Sequence, residues 1–549
     1  MLGDGHPARD RDADLRTLRE VFEAARSGQY VQAAALAEAA LADGLEHPLL
    51  LNAAALKLER DGRLADAERL LRRAVQLAPE DASARNALGL CLMQLDRPAE
   101  ALVEFDTLIK LAPALPFAHT SHGNALLGLG AVSEAEASYR RALAIDPQQA
   151  LAMAGLAHIA SRRGAYPAGR MWAEKALAVV PGFPDAVMSL AAAELGEHDA
   201  GAAEKRIRAL LNDARLAPLD RAYANGLLGD ALDAQRRSNE AFNAYSQCNE
   251  ALQRIHAARF ASELSALDYV RSMTGFFERA PPQVWRVPVP LALDRAGAAE
   301  HVFLLGFPRS GTTLLEIILE GHPNVVSLEE HESLIDAVHE FMERPEDLDR
   351  LSRATSAKLE SLRAAYWQRV AAGGVAVAGK VFVDKNPLNT LKLPLIARLF
   401  PNAKILFACR DPRDVVLSCF RHRFKMSAPI YELLSLEGAA RYYDAVMRLL
   451  VRLTSCLSLD LCLVRHEDLV TEFAREMKRI CAFLGLDWVP AMGDFALRTR
   501  DRAKVTPSTA QLARGLNTEG VGPWLRYRTQ MDPLLPLLEP WVKRFLYDN

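Results

Sequence analysis

The sequence predicts a two-domain chain: an N-terminal all-α superhelix of stacked repeats, then a C-terminal α/β domain built on a central parallel sheet. Three observations predict it. Prolines stand in register at positions 79, 113, 147 and 181, each 34 residues after the last. Beyond residue 300 that period stops, and short apolar runs alternate with helical stretches. One of those runs, in VFLLGFPRSGTT (302–313), leads through a loop directly into a helical stretch.

The repeat is more than its prolines. Twelve residues before each lies a small residue, Ala67, Ala101, Ala135 and Gly169, and twenty-four before lie Ala55, Gly89, Gly123 and Ala157. Turn glycines recur at Gly28, Gly62, Gly130 and Gly164, with Asp96 in the vacant slot. The pattern predicts two helices per unit, brought close by the small residues. Leu71, Phe105 and Tyr139 fill the space between units, and the proline sits just past the second helix, where its missing N–H costs little. One helix pair cannot cover its own apolar face, so units must stack. The period and the small–small–aromatic–Pro order resemble the tetratricopeptide repeat. A frayed unit (14–47), four clear ones (48–183), a degenerate sixth (184–219) and a seventh with Gly229, Ala241 and Tyr245 make an array over 1–255. Residues 256–299 read as a capping helix and a proline-rich linker whose stretch 280–290 is too rich in proline for helix, and 300–549 as the α/β domain. The array offers a surface for a peptide or protein partner, or it scaffolds the second domain.

Composition narrows the function. A chain of 549 residues exceeds one ordinary core, and a net charge of −3 speaks against a general nucleic-acid binder. The charged start MLGDGHPARDRDADLRTL does not read as a signal peptide, and no apolar run approaches the ~18 residues of a membrane span. Seven cysteines, without a C-x-x-C pair, fit reduced thiols and a cytoplasmic protein.

The loop after 302–307 is a natural anion site, because helix N-terminal N–H groups and the helix dipole both favour negative charge. Gly311 lets the backbone approach a ligand, Ser310, Thr312 and Thr313 add hydroxyls, and Arg309 adds a fixed cation. Gly306 and Gly311 keep the spacing of the nucleotide P-loop, but Thr312 stands where a kinase or ATPase places lysine, which argues against nucleoside triphosphate chemistry. A second element, RDPRDVVLS (410–418), puts Arg410 at the carboxyl end of a predicted strand and Ser418 two helical turns on, as a second phosphate site.

These segments resemble the 5′-phosphosulfate loop and the 3′-phosphate motif of sulfotransferases, over roughly 300–525. The likeness is greatest to the protein-tyrosine sulfotransferase branch, whose P-R-S-G-T-T, G-E-E, K-x-P and R-D-P-R motifs stand here as PRSGTT, LEE, KNP and RDPR. The whole architecture resembles bacterial sulfotransferases with N-terminal tetratricopeptide repeats. The resemblance implies a P-loop-like α/β fold and 3′-phosphoadenosine 5′-phosphosulfate as donor, with no metal. Arg309, Ser310, Gly311, Thr312 and Thr313 would hold the 5′-phosphosulfate, and Arg410 and Ser418 the 3′-phosphate. Glu330 falls at the place of the catalytic glutamate, with Glu329 as the near alternative. Lys385 would stabilise charge on the leaving group and the transferring sulfuryl group. Ser508 matches a transition-state serine, and Arg514 with 520–524 matches a loop closing over the donor. Two departures stand out. His466 replaces a tyrosine, and the arginine expected after Ser418 is either Arg421 or Arg423.

A metal site at 329–332 with His339 lacks zinc-protease spacing, and RHRFK (421–425) is too short a basic run for nucleic acid. Three function classes remain: a sulfotransferase acting on a hydroxyl such as peptide tyrosine, a carbohydrate or small-molecule sulfotransferase with a scaffolding array, and a non-catalytic repeat adaptor. A homodimer is open.

Overall fold

A computed structural model describes residues 11–261, 264–286, 296–496 and 515–547. Among them, fourteen helices run from Arg11–Arg26 to Ser238–Phe260, two per repeat. The small-residue positions make close approach possible. A Cβ on Gly123 would come 2.7 Å from the Tyr139 ring, and one on Gly89 would come 2.4 Å from the Phe105 ring. Ala67, Ala101 and Ala135 are completely buried, as are Phe105 and Tyr139. Asp96, in the slot left by the missing turn glycine, adopts φ +57° beside values of +74° to +79° at Gly28, Gly62, Gly130 and Gly164. A short polar residue tolerates that left-handed conformation better than most, so the turn survives the substitution.

The chain divides into two compact units, one made chiefly of residues up to Leu190 and one chiefly from Ala191 onward. The long last helix pair, Pro218–Ala234 and Ser238–Phe260, therefore belongs to the unit that contains the sheet. The helix Ala266–Arg279 also packs there: Tyr269 donates to Met342 O at 2.6 Å, and Arg452 Nε donates to Phe277 O at 2.9 Å. One expectation fails in the linker. Residues 282–286 form a helical turn despite the prolines around them, because Pro282 occupies its first position, where no N–H is needed.

Among the described residues, five parallel strands form the sheet, β1 (Glu300–Gly306), β2 (Val325–Glu329), β3 (Val381–Lys385), β4 (Lys404–Cys409) and β5 (Asp460–Arg465), in the order β2-β3-β1-β4-β5. Alternate residues of the central β1 face opposite layers. Val302 and Leu304 join the core that includes Leu315, Ile318 and Met477, while His301 and Phe303 meet an aromatic cluster of Tyr366, Trp367 and Phe400. Leu304 is in register with Lys385 on one side and with Leu406 on the other. The carboxyl ends of β1, β3 and β4 therefore lie side by side, and this edge carries the site, as open α/β sheets favour at the point where strand order reverses.

Tyr139 lies against both Gly123 and Gly155, so added bulk there has nowhere to go. Gly123→Val is expected to cost about 1–3 kcal/mol through overpacking. Urea denaturation followed by helical circular dichroism checks this, and an unshifted transition would contradict the packing described.

Candidate functional site

The loop between β1 and the helix Thr312–Leu319 is shaped by two glycines. A Cβ on Gly306 would fall 2.4 Å from Ser310 Oγ and 2.7 Å from Ala408 O, so only glycine lets the loop fold back against β4. Gly311 has φ +97°, and a Cβ on it would meet His466 Nδ1 at 2.7 Å. Arg309 is also left-handed, with φ +71°. Ser310 is buried and its hydroxyl has no protein partner. Thr312 and Thr313 are buried in the first turn of the helix.

Two arginines converge on this loop. Arg309 Nε donates to Ser418 Oγ at 3.1 Å, and Arg410 Nη1 donates to Arg309 O at 3.2 Å. Arg410 also donates to Gly520 O. Ser418 is presented by the helix Pro412–Arg421, capped by Asp411, whose carboxylate accepts from Arg413 N at 2.9 Å. Burial, with the nearby Arg410 charge, pushes the Arg309 guanidinium down to about 10. Burial, reinforced by Arg410 and Arg309, drives the His466 imidazole down to about 3 and so keeps it neutral. Two neighbouring guanidinium groups, together with a buried hydroxyl that has no protein partner, fit a multiply charged anion.

The charges at the β2–β3 end have the opposite sign. Lys385 is completely buried, and its ammonium contacts Glu330 Oε1 at 2.8 Å, Glu329 Oε1 at 3.0 Å and Glu316 Oε2 at 3.6 Å. These carboxylates hold the ammonium above its usual range, against the opposing and largest effect of burial. Glu316 and Glu329 are buried, but the Glu330 side chain is 53% exposed. Glu330 is pinned by its N–H bond to Lys385 O at 2.7 Å and sits at φ +45°. Asn386 caps the following turn and donates to Glu332 at 3.3 Å.

Most of the residues singled out in the sequence meet at this edge: Arg309, Ser310, Gly311, Thr312, Thr313, Arg410 and Ser418 at one end, Glu330 and Lys385 at the other. Ser508 and Arg514 lie outside the described residues. Arg421 and Arg423 form ion pairs of 2.5 Å with Asp233 and Asp230. Two groups went unnoticed. Glu316 is a lone charge in the apolar run LLEIIL, and that isolation was a usable signal. Asp414 takes hydrogen bonds from Gly522 N at 2.7 Å and Trp524 N at 2.9 Å, and burial pushes it up to about 6. Nothing in its local sequence announced that. Among the described residues, no group of three or more His, Cys, Asp or Glu is arranged to hold a metal.

Asp384, beside Lys385 but fully buried on the other face of β3, accepts from the Tyr366 hydroxyl at 2.8 Å. Burial raises it from 3.8 to about 7. Between those values the folded chain binds more protons here than the unfolded chain does, so this group's contribution to stability falls as pH rises. Relative to Asp384→Asn, which cannot ionise, the parent protein is expected to lose stability from about pH 4 to about pH 7 and to run parallel above that range. Urea titrations of both proteins across pH measure the difference.

Comparison with known proteins agrees with this geometry. Residues 301–490 match the model of the Sulfotransferase family, and residues 58–116 and 118–149 match tetratricopeptide-repeat models. Among curated relatives, Protein-tyrosine sulfotransferase 1 of Danio rerio is 26% identical over 265 residues, covering 45% of this chain and 72% of the relative. The Drosophila melanogaster Protein-tyrosine sulfotransferase is 27% identical over 235 residues, covering 41% of this chain and 46% of the relative. An uncharacterized protein of Aquifex aeolicus is 24% identical over 365 residues, covering 62% of this chain and 44% of the relative, so the chain spans under half the length of two of these three. With the loop, the parallel sheet and the repeats in hand, residues 301–490 match the Sulfotransferase family behind tetratricopeptide repeats, and this part of the chain is similar to protein-tyrosine sulfotransferases.

Proposed function

We propose that the protein transfers a sulfuryl group from 3′-phosphoadenosine 5′-phosphosulfate to an acceptor hydroxyl, with peptide tyrosine as the acceptor favoured by its relatives. The observation that carries this reading is the pair of adjacent arginines, Arg410 on the Arg309 carbonyl and Arg309 on Ser418, beside the unpartnered hydroxyl of Ser310. Arg309, Ser310, Gly311, Thr312 and Thr313 would hold the 5′-phosphosulfate, and Arg410 and Ser418 the 3′-phosphate. When bound, the donor supplies a sulfuryl group whose bond to the phosphate oxygen breaks as the acceptor oxygen bonds to sulfur.

Glu330 takes the acceptor proton. Its exposure supports this role over Glu329, whose carboxylate is buried. Lys385 keeps Glu330 placed, and from the end of β3, next to β1, it offsets negative charge developing on the leaving group and the sulfuryl oxygens. Thr312 at the lysine position of the nucleotide P-loop favours sulfuryl over phosphoryl transfer. The repeats supply a surface for a peptide or protein partner. Among the described residues, no helix is long and apolar enough to cross a membrane.

Arg309→Ala and Ser418→Ala are each expected to weaken binding of adenosine 3′,5′-bisphosphate, the desulfated donor, by about 10–100-fold, since each removes a hydrogen bond to a charged group. Calorimetry measures this, and wild-type affinity in both variants would overturn the donor site.

Glu330→Gln separates chemistry from binding. It should retain donor affinity while transfer of labelled sulfate falls by about 10²–10⁴-fold. Full activity in that variant would remove Glu330 as the base. Labelled transfer to peptides, glycans and phenols then identifies the acceptor.

A further inference from the structure

Asp233, near the end of the helix Pro218–Ala234, carries the contacts that motivate this inference. Its buried carboxylate accepts from Arg421 Nη2 at 2.5 Å, from the Tyr527 hydroxyl at 2.6 Å, and pairs with Arg526 Nη1 at 3.0 Å. These partners belong to two separate parts of the α/β domain. Arg421 ends the helix Pro412–Arg421, three residues beyond Ser418 and thus about one turn from it. Arg526 and Tyr527 belong to the short helix Pro523–Tyr527, which follows Gly520 and Gly522.

Each part leads to the donor site. On the first, Ser418 receives Arg309 Nε. The end of its helix is further fixed by Asn249 Nδ2, which donates to Phe420 O at 2.8 Å, and by Phe242, which stacks on Phe420 at 5.1 Å. On the second, Gly520 O receives Arg410, and Gly522 and Trp524 are tied to Asp414 on the helix that bears Ser418. One carboxylate therefore anchors both the helix that presents Ser418 and the segment that holds Arg410. Arg421 also lies 5.4 Å and 5.5 Å from the ring centroids of Tyr245 and Tyr527.

We propose that Asp233 is a positioning residue for the donor's 3′-phosphate, so that the last helix pair is a working part of the transfer site and not only the end of a repeat array; this rests on the donor reading above. The nearby Asp230 offers an internal comparison. It sits one turn earlier on the same helix and binds Arg423 at 2.5 Å and the Tyr245 hydroxyl at 3.0 Å, and it reaches Arg421 only through the Tyr245 ring. Both acids hold an ion pair, but only Asp233 pairs directly with Arg421 and with the segment Pro523–Tyr527.

The test compares Asp233→Asn with Asp230→Asn in the full chain. Binding of adenosine 3′,5′-bisphosphate is read by calorimetry, and KM and kcat by labelled sulfate transfer. Asp233→Asn is expected to raise Kd and donor KM by about tenfold or more while kcat at saturating donor stays within about threefold, the pattern of lost ground-state binding. Asp230→Asn is expected to leave Kd within about twofold even if thermal stability falls, since it pairs directly with neither segment that leads to the site. Equal effects of the two variants, or wild-type Kd in Asp233→Asn, would overturn the proposal. Should Asp233→Asn fail to fold, Tyr527→Phe removes a single hydrogen bond of the second connection, and an unchanged Kd there would overturn it as well. Failure of the wild-type protein to bind the nucleotide would instead remove the donor reading, and this inference with it.

Discussion

The buried ammonium of Lys385 is the interaction around which the reactive edge is organised. An unpaired cation in that position would cost several kcal/mol. Here it is met by carboxylates from three places: Glu316 on the loop helix, Glu329 at the end of β2, and Glu330 just beyond it. Each contact ties a different element to β3. The backbone of Glu330 is left-handed and bonded to the Lys385 carbonyl, so the one exposed carboxylate of the group is held by both its charge and its main chain. Removing the lysine would leave buried acids without a counter-charge, which is why the cluster is kept as a unit.

The opposite end of the edge has the reverse imbalance. Arg309 and Arg410 lie close together, with Arg410 donating to the Arg309 carbonyl, and His466 beside them is held neutral. Like charges placed close together are unfavourable unless an anion binds there. The two ends are separated by the width of β1, whose register with β3 and β4 brings the acid-rich and arginine-rich residues to the same level. The donor site and the base proposed above use that division of charge.

The last helix pair changes how the chain is divided. The period of 34 makes Gly229, Ala241 and Tyr245 one more repeat, and the packing of Gly229 against Tyr245 agrees with it. Yet this pair lies in the compact unit that holds the sheet, and its acids bind arginines that family resemblance had directed toward the donor. A repeat is written in sequence as a local pattern of small and large residues. What its outer surface binds is not local, because Asp233 meets residues nearly 300 positions away.

The sequence by itself determined the repeats, the strands β1, β4 and β5, and the phosphate loop. Each is a short-range pattern: a period, an apolar run, or two glycines flanking hydroxyl residues. Strand β2 was not legible, because VVSLE is short and lies beside acidic residues that read as exposed. Glu330, Lys385, Arg410 and Ser418 were legible as types at motif positions. Their ion pairs were not, since pairing depends on which strands become neighbours. Only the tertiary structure decided that Lys385 sits in a cage of three carboxylates, that Asp414 holds the segment around Trp524, and that Arg421 and Arg423 face the repeat helices. These contacts join residues far apart in the chain, and burial gives them their strength by removing the water that would otherwise satisfy each charge.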